Sequence, residues 1–153
     1  MLLRTHISFT IFVLFLLELF FEVSTLFFFV SIFSTLIPDI DSRFSRIGRK
    51  KSSRFLQFFF SHRGFLHSAF FLILIFGIFY LFALKSIAQG FLLGYGFHIF
   101  LDSLTKGGIA LFYPFKFRVR GFLKTGGIFE KSLFYALILI DCVFFAFFVS
   151  GSM

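Results

Sequence analysis

The chain has 153 residues, of which 59% are hydrophobic and only 14% charged, with a mean hydropathy of +1.00. Soluble domains run at about 45–50% apolar and about 25% charged. Too little polar side chain is present to coat a water-facing globule, and disorder is excluded on the same ground. A single cysteine, Cys142, rules out a disulfide framework and a Cys-based zinc knuckle. The net charge of +8 reads, in so apolar a chain, as a topology signal and an attraction to anionic headgroups rather than a nucleic-acid surface. The expectation is a single membrane-embedded domain over 1–153, all-α, a polytopic bundle of about five transmembrane helices in contact with membrane lipids. The 33 phenylalanines are assigned no chemistry beyond lipid solubility.

The first apolar run covers 7–37. As one helix it would reach about 46 Å, against a hydrocarbon core of about 30 Å. It would also bury Glu18 and Glu22 near the bilayer centre, which is costly. A helical hairpin resolves both problems, with helix 1 over about 7–20, a turn at Phe21–Ser24 carrying the glutamates at a wet tip, and helix 2 over about 25–37. Pro38 disfavours helical geometry at Ile37 and ends helix 2. Arg4 before an apolar run imitates a signal peptide, but no small-x-small cleavage site follows and two glutamates interrupt, so the segment is expected to be retained. Next comes a basic loop, Ser42–Arg54, with Arg43, Arg46, Arg49, Lys50, Lys51 and Arg54. Phe55–Phe60 is too short to span and is expected at the interface. Helix 3 is predicted over about 66–84, helix 4 over about 87–105 and helix 5 over about 131–149. A Gly-rich basic loop, Lys106–Lys131, joins the last two and contains Pro114.

Five spans put the N-terminus, the 42–65 loop and the 106–131 loop on one side. All of the 15 Lys and Arg except Lys85 then lie on that side, which marks it as cytoplasmic. Merging helices 1 and 2 would separate Arg4 from the basic loop, so the bias also supports the hairpin. No nucleic-acid partner is expected, because the basic run at 43–54 adjoins no folded binding module.

All four histidines fall at the cytoplasmic ends of these helices. His6 opens helix 1. Asp39 and Asp41, two apart in a presumed extended stretch after Pro38, would point to one side. His62, Arg63, Gly64 and His67 lead into helix 3, with His62 expected on the loop and His67 in the first helical turn. His98 and Asp102 lie in the last two turns of helix 4, and Glu130 opens helix 5. On helix 4, Gly90, Gly94, His98 and Asp102 are spaced by four and form one stripe, with Thr105 near it. The glycines would admit a neighbouring helix closely, and the His and Asp, at i and i+4, can grip one cation. An interfacial histidine or a Pro-Asp-x-Asp helix stop is ordinary alone. Their convergence from four segments is not. Imidazole and carboxylate without thiolate suit Zn²⁺, Mn²⁺, Fe²⁺ or Mg²⁺. Seven such groups exceed one four-coordinate structural zinc and suffice for a catalytic or two-metal site.

Thr5-His6, Pro38-Asp39-Ile40-Asp41, His62-Arg63-Gly64-Phe65-Leu66-His67-Ser68, His98-Ile99-Phe100-Leu101-Asp102-Ser103-Leu104-Thr105 and Tyr113-Pro114-Phe115 together resemble the membrane-bound metal-dependent hydrolases of the YdjM type, inner-membrane proteins some of which are linked to LexA regulation. The resemblance covers about 5–145. It implies that His6, Asp39, Asp41, His62, His67, His98 and Asp102 are metal ligands. The chain departs from the family pattern at Leu66, where threonine is usual, and at Lys106, where proline commonly follows the Leu-Thr.

The functional expectation is metal-assisted hydrolysis with one or two divalent ions at the cytoplasmic interface. Asp102 or Asp41 is the candidate general base. Arg63 and the basic loops would hold an anionic substrate group, so that a phospholipid or another phosphorylated amphiphile is the expected substrate class. The alternatives are a non-catalytic metal-binding scaffold and a divalent-cation transporter. The latter would place ionisable groups near the midplane, where only Asp141 lies.

Overall fold

A computed structural model of the chain describes residues 1–41, 65–115 and 117–151. The basic loop Ser42–Arg54, the run Phe55–Phe60, and His62, Arg63 and Gly64 lie outside them. Among the described residues there are five α-helices: α1 Leu3–Glu18, α2 Thr25–Leu36, α3 Ala69–Leu81, α4 Lys85–Ser103 and α5 Ile128–Val149. Among the described residues there are no β-strands, and the protein is all-helical as expected.

α1 and α2 form the anticipated hairpin. Leu17 accepts from Phe20 and Phe21 N–H at 3.0 and 2.8 Å as α1 unwinds, and the Glu18 carboxylate accepts from Val23 N–H at 3.2 Å across the turn. Ser24 then caps α2 by accepting from Phe27 N–H at 3.2 Å. Midway along the hairpin the buried Thr10 and Thr35 hydroxyls pair at 3.0 Å. Past Leu36 the chain does not extend. Ile37–Asp41 winds into a 3₁₀ turn, which corrects the extended stretch expected there. Proline lacks the N–H that would continue the α ladder, yet its fixed φ suits a tighter turn. His67 likewise sits in a 3₁₀ turn, Phe65–His67, rather than in helix 3. The helix starts later than predicted because Ser68 is its cap, accepting from Phe71 N–H at 3.2 Å.

α4 is the central element. It lies most extensively against α2, and packs also on α3 and α1, while α5 packs on α1. The α2–α4 crossing is close because of the glycine stripe. A Cβ added at Gly94 would run into the Ser31 carbonyl, and one at Gly90 would stand 2.9 Å from the Phe27 carbonyl. The Ser34 hydroxyl lies 3.3 Å from the Gly90 carbonyl at the same contact. On its other side α4 contributes Phe91, Tyr95 and Ile99 to an apolar cluster with Leu72 and Ile109. The buried Tyr95 hydroxyl donates to the Leu66 carbonyl, which draws the Phe65–His67 turn onto α4.

The α4–α5 connection folds back on itself by backbone pairing. Ile109 and Val119 exchange hydrogen bonds at 3.1 and 2.9 Å, and Lys106 N–H donates to Leu123 at 2.8 Å. Gly108 takes φ +59° at this fold, where a side chain would meet the Val119 carbonyl.

The distribution of polarity is inverted relative to a water-soluble fold. Serines, threonines, histidines and carboxylates fill much of the interior. Phe, Leu and Ile cover the outside, with Phe129 82%, Leu81 84% and Leu139 69% exposed. Among the described residues one helix, α5, is long and apolar enough to cross a membrane; its 22 residues make about 33 Å. α2 and α3 are apolar but shorter, at 12 and 13 residues.

The close crossing makes a direct prediction. Gly94→Ala should lower stability in detergent by about 1–3 kcal/mol, the usual cost of forcing atoms into a packed contact. Gly77→Ala on α3, where nothing stands within 4 Å of the added carbon, should be neutral or slightly stabilising. Thermal unfolding of the two variants side by side measures the difference.

Candidate metal centre

Four elements deliver the site. His6 is on the first turn of α1, and His98 and Asp102 are one turn apart on α4. His67 ends the 3₁₀ turn before α3, and Asp39 lies in the 3₁₀ turn after α2. The three histidines have no exposed surface, Asp102 is 1% exposed, and Asp39 is half-buried. The Asp102 carboxylate is the hub: Oδ1 lies 3.2 Å from His6 Nε2, and Oδ2 lies 3.8 Å from His67 Nε2. The Met1 amino group also contacts Oδ1. The His6 and His98 rings stack with centroids 3.9 Å apart and an interplanar angle of 7°. The His67 ring meets His98 edge-on at 5.5 Å and 67°.

His98 Nδ1 lies 2.7 Å from the Thr35 carbonyl. A carbonyl only accepts, so Nδ1 carries the proton and Nε2 presents a lone pair. That Nε2, and Nδ1 of His6, are buried without a hydrogen-bond partner. Leaving such groups unsatisfied is costly, and a cation removes the deficit. Two groups of donors fall within 4.8 Å of one another, His6–His98–Asp102 and Asp39–His67–His98. Imidazole and carboxylate without sulfur match a divalent first-row metal or magnesium. The residues present therefore fit a divalent cation.

Of the residues singled out in the sequence, His6, Asp39, His67, His98 and Asp102 come together here. The side chain of Asp41, and His62 and Arg63, lie outside the described residues. Thr105, expected near the stripe, is buried and its hydroxyl donates to the Asp102 carbonyl at 2.7 Å. The donors were expected at a water boundary. The histidines are instead fully buried, and Asp39 is the most accessible of the five.

Glu130 has a part that its sequence position alone did not assign. It is 1% exposed. Oε1 accepts from Leu2 N–H at 2.5 Å and from the Thr5 hydroxyl at 3.1 Å, and Oε2 accepts from Gly126 N–H at 2.5 Å. Arg4 stands 4.7 Å over the Phe134 ring in the same helix pair. Glu130 thus ties the start of α1, and with it His6, to the start of α5. An acidic residue in the first turn of a helix normally signals favourable placement near the helix dipole; its reach to a second helix depends on tertiary contact. A cavity of about 980 Å³ lies elsewhere, between the hairpin turn and α4, lined by Leu17, Phe27, Gln89, Leu93, Phe97 and Phe100 among others. It contains none of the candidate ligands.

Glu130→Ala should strand three donors and cost about 1–3 kcal/mol, with weakened metal binding because His6 is no longer fixed. Glu130→Gln, which keeps one acceptor oxygen, should fall between. Thermal unfolding and metal titration in detergent measure both effects.

Comparison with known proteins places the chain in a family. The YvsG protein of Bacillus subtilis, described as uncharacterized, is 37% identical over 123 residues, covering 77% of each chain. The inner membrane protein YdjM of Escherichia coli is 36% identical over 98 residues, 59% of this chain and 50% of its own length, and that of Shigella flexneri matches equally. No solved structure matches. The family profile described as YdjM inner membrane protein matches residues 1–151. Because that match covers nearly the whole length, the chain is a membrane protein of the YdjM family.

Proposed function

We propose that this protein is a multi-pass hydrolase of the cytoplasmic membrane that depends on one or two divalent ions, with its site on the cytoplasmic side. The observation that carries the proposal is the pair of donor groups that share His98, His6–His98–Asp102 and Asp39–His67–His98, each with its ligand atoms within 4.8 Å of one another, and the buried His98 Nε2 without a hydrogen-bond partner. His6, Asp39, His67, His98 and Asp102 would hold the metal, with Asp41 and His62 as further ligands from the sequence. A divalent ion supplies Lewis acidity toward water and phosphoryl oxygen when bound. Asp41, or Asp102 if it serves as base instead of ligand, would take a proton from the attacking water, and Arg63 would hold an anionic group of the substrate. Entry would be on the side of Asp39, the most accessible donor. An apolar exterior and adjoining cationic loops favour a phosphorylated amphiphile.

The five-span arrangement is supported by the charge bias and by the exposed Phe, Leu and Ile surface of the helices. The short α1, α2 and α3 would span a locally thinned bilayer. One observation favours a second reading. Full burial of all three histidines also suits a closed structural site that staples α1, α3 and α4 without turnover. A divalent-cation transporter has less support, since Asp141 on α5, the acidic residue set apart from the site, has no hydrogen-bond partner that would make a transport pathway.

Two experiments test this. With Cys142, which is free and exposed, first replaced by alanine, cysteines introduced at Ser52 and Ser152 should label from opposite sides of the membrane. Labelling of both from the cytoplasm would remove the five-span topology. Metal-loaded protein should cleave one of a panel of lipid and isoprenoid phosphates, lose activity with chelator, regain it with a divalent ion, and lose most of it in Arg63→Ala while metal stays bound. Inertness toward that panel and toward esters and peptides, with metal bound, would establish the scaffold instead.

A further inference from the structure

The two donor groups at the centre share His98, yet their geometry does not describe one ion. An imidazole binds a metal along its lone pair, which lies in the ring plane. The His6 and His98 rings are stacked, with planes 7° from parallel and centroids 3.9 Å apart. Nearly parallel, offset planes do not meet at the site, so a single cation cannot lie in both. His67 and His98 differ, because their planes cross at 67° and can converge on one point. His98 has only Nε2 to give, since Nδ1 is taken by the Thr35 carbonyl, and so it serves one ion only. Its place is with His67.

That division leaves His6 with Asp102. Ligand atoms bound at about 2.1 Å to one tetrahedral ion lie about 3.4 Å apart. His6 Nε2 to Asp102 Oδ1, at 3.2 Å, meets this spacing. The other carboxylate oxygen, Oδ2, lies 3.8 Å from Nε2 of His67, a member of the second group. A carboxylate that offers one oxygen to each of two donor sets is the bridging element of two-metal centres, whose ions stand about 3.5–4 Å apart.

We propose that Asp102 bridges two divalent cations, one held with His6 through Oδ1 and the other with His67, His98 and Asp39 through Oδ2. The proposal rests on the metal-site reading above and gives it a stoichiometry and a division of ligands. The His6 ion has fewer side-chain donors than its neighbour and would take the place that the Met1 amino group holds against Oδ1, so it is the one more open to substrate and water. Asp102, with both oxygens committed, is then a ligand and not the general base.

The test uses the full chain in detergent, stripped with chelator, reloaded with Mn²⁺ alone and desalted. Metal analysis should give two Mn²⁺ per chain, and electron paramagnetic resonance should show the exchange-coupled signal of a carboxylate-bridged pair. His6→Ala should reduce the content to one ion with an uncoupled signal, as should His67→Ala. Asp102→Ala should weaken both ions at least tenfold, thermal unfolding confirming that each variant remains folded. One ion per chain in the wild type at saturating Mn²⁺ would overturn the proposal while leaving a mononuclear site in place. Two uncoupled ions would overturn the bridge. No bound metal at all would overturn the metal-site reading along with it. These wild-type measurements decide the matter even where a variant fails to fold.

Discussion

The structure turns on the burial of Asp102. A carboxylate enclosed to 1% exposure is costly unless positive or hydrogen-bonding groups surround it. Here the surroundings come from separate elements: His6 from α1, His67 from the turn ahead of α3, and the Met1 amine, with His98 one turn away on the same helix. Each partner fixes one element against α4. The same charge therefore ties α1 and the α3 approach to α4. A cation among these groups would strengthen that arrangement, which is why a catalytic and a stapling role draw on the same side chains.

The rest of the bundle serves this placement. α2 carries no ligand in its helical body, but it lies deep in the α4 groove opened by Gly90 and Gly94. That approach brings the Thr35 carbonyl to His98 Nδ1 at 2.7 Å, which sets the tautomer and turns Nε2 toward the site. Such an outer hydrogen bond is how proteins orient a ligating imidazole. Between the helices, serine and threonine hydroxyls replace the apolar interdigitation of a soluble core, with Thr10 on Thr35 and Ser34 on Gly90. In an apolar surround, the hydrophobic effect does not press helices together, and close backbone contact and polar links carry more of the association.

Glu130 extends this logic to the last helix. α5 carries none of the candidate ligands, and its outer face is almost wholly exposed apolar surface. Its role at the site is carried by one carboxylate that gathers Leu2, Thr5 and Gly126. The position of His6 thus depends on a residue 124 positions away in sequence that does not touch the imidazole by any hydrogen bond. The membrane-facing helix and the buried centre are coupled through the first turn of α1.

The residue pattern alone determined the helical class, the N-terminal hairpin, the end of α2 at Pro38 and the pairing of His98 with Asp102, because each is local. Hydropathy, a proline and an i, i+4 spacing act within a few turns of chain. The glycine stripe on α4 was legible as a close-packing face for the same reason, though not the identity of its partner. Helix boundaries moved where a cap intervened, as Ser68 displaced the start of α3, and Asp39 entered a 3₁₀ turn because proline permits tightening as well as extension. Only the tertiary structure decided which donors meet. The stacking of His6 on His98, the crossing of His67, and the two faces of the Asp102 carboxylate are angles between side chains from different helices, and no spacing along one chain encodes them. The enclosure of the histidines was decided there too, since burial is a property of what packs over a residue. The role of Glu130 belongs with these, because a carboxylate at a helix start reads as a dipole partner until a second helix brings its N–H groups within reach.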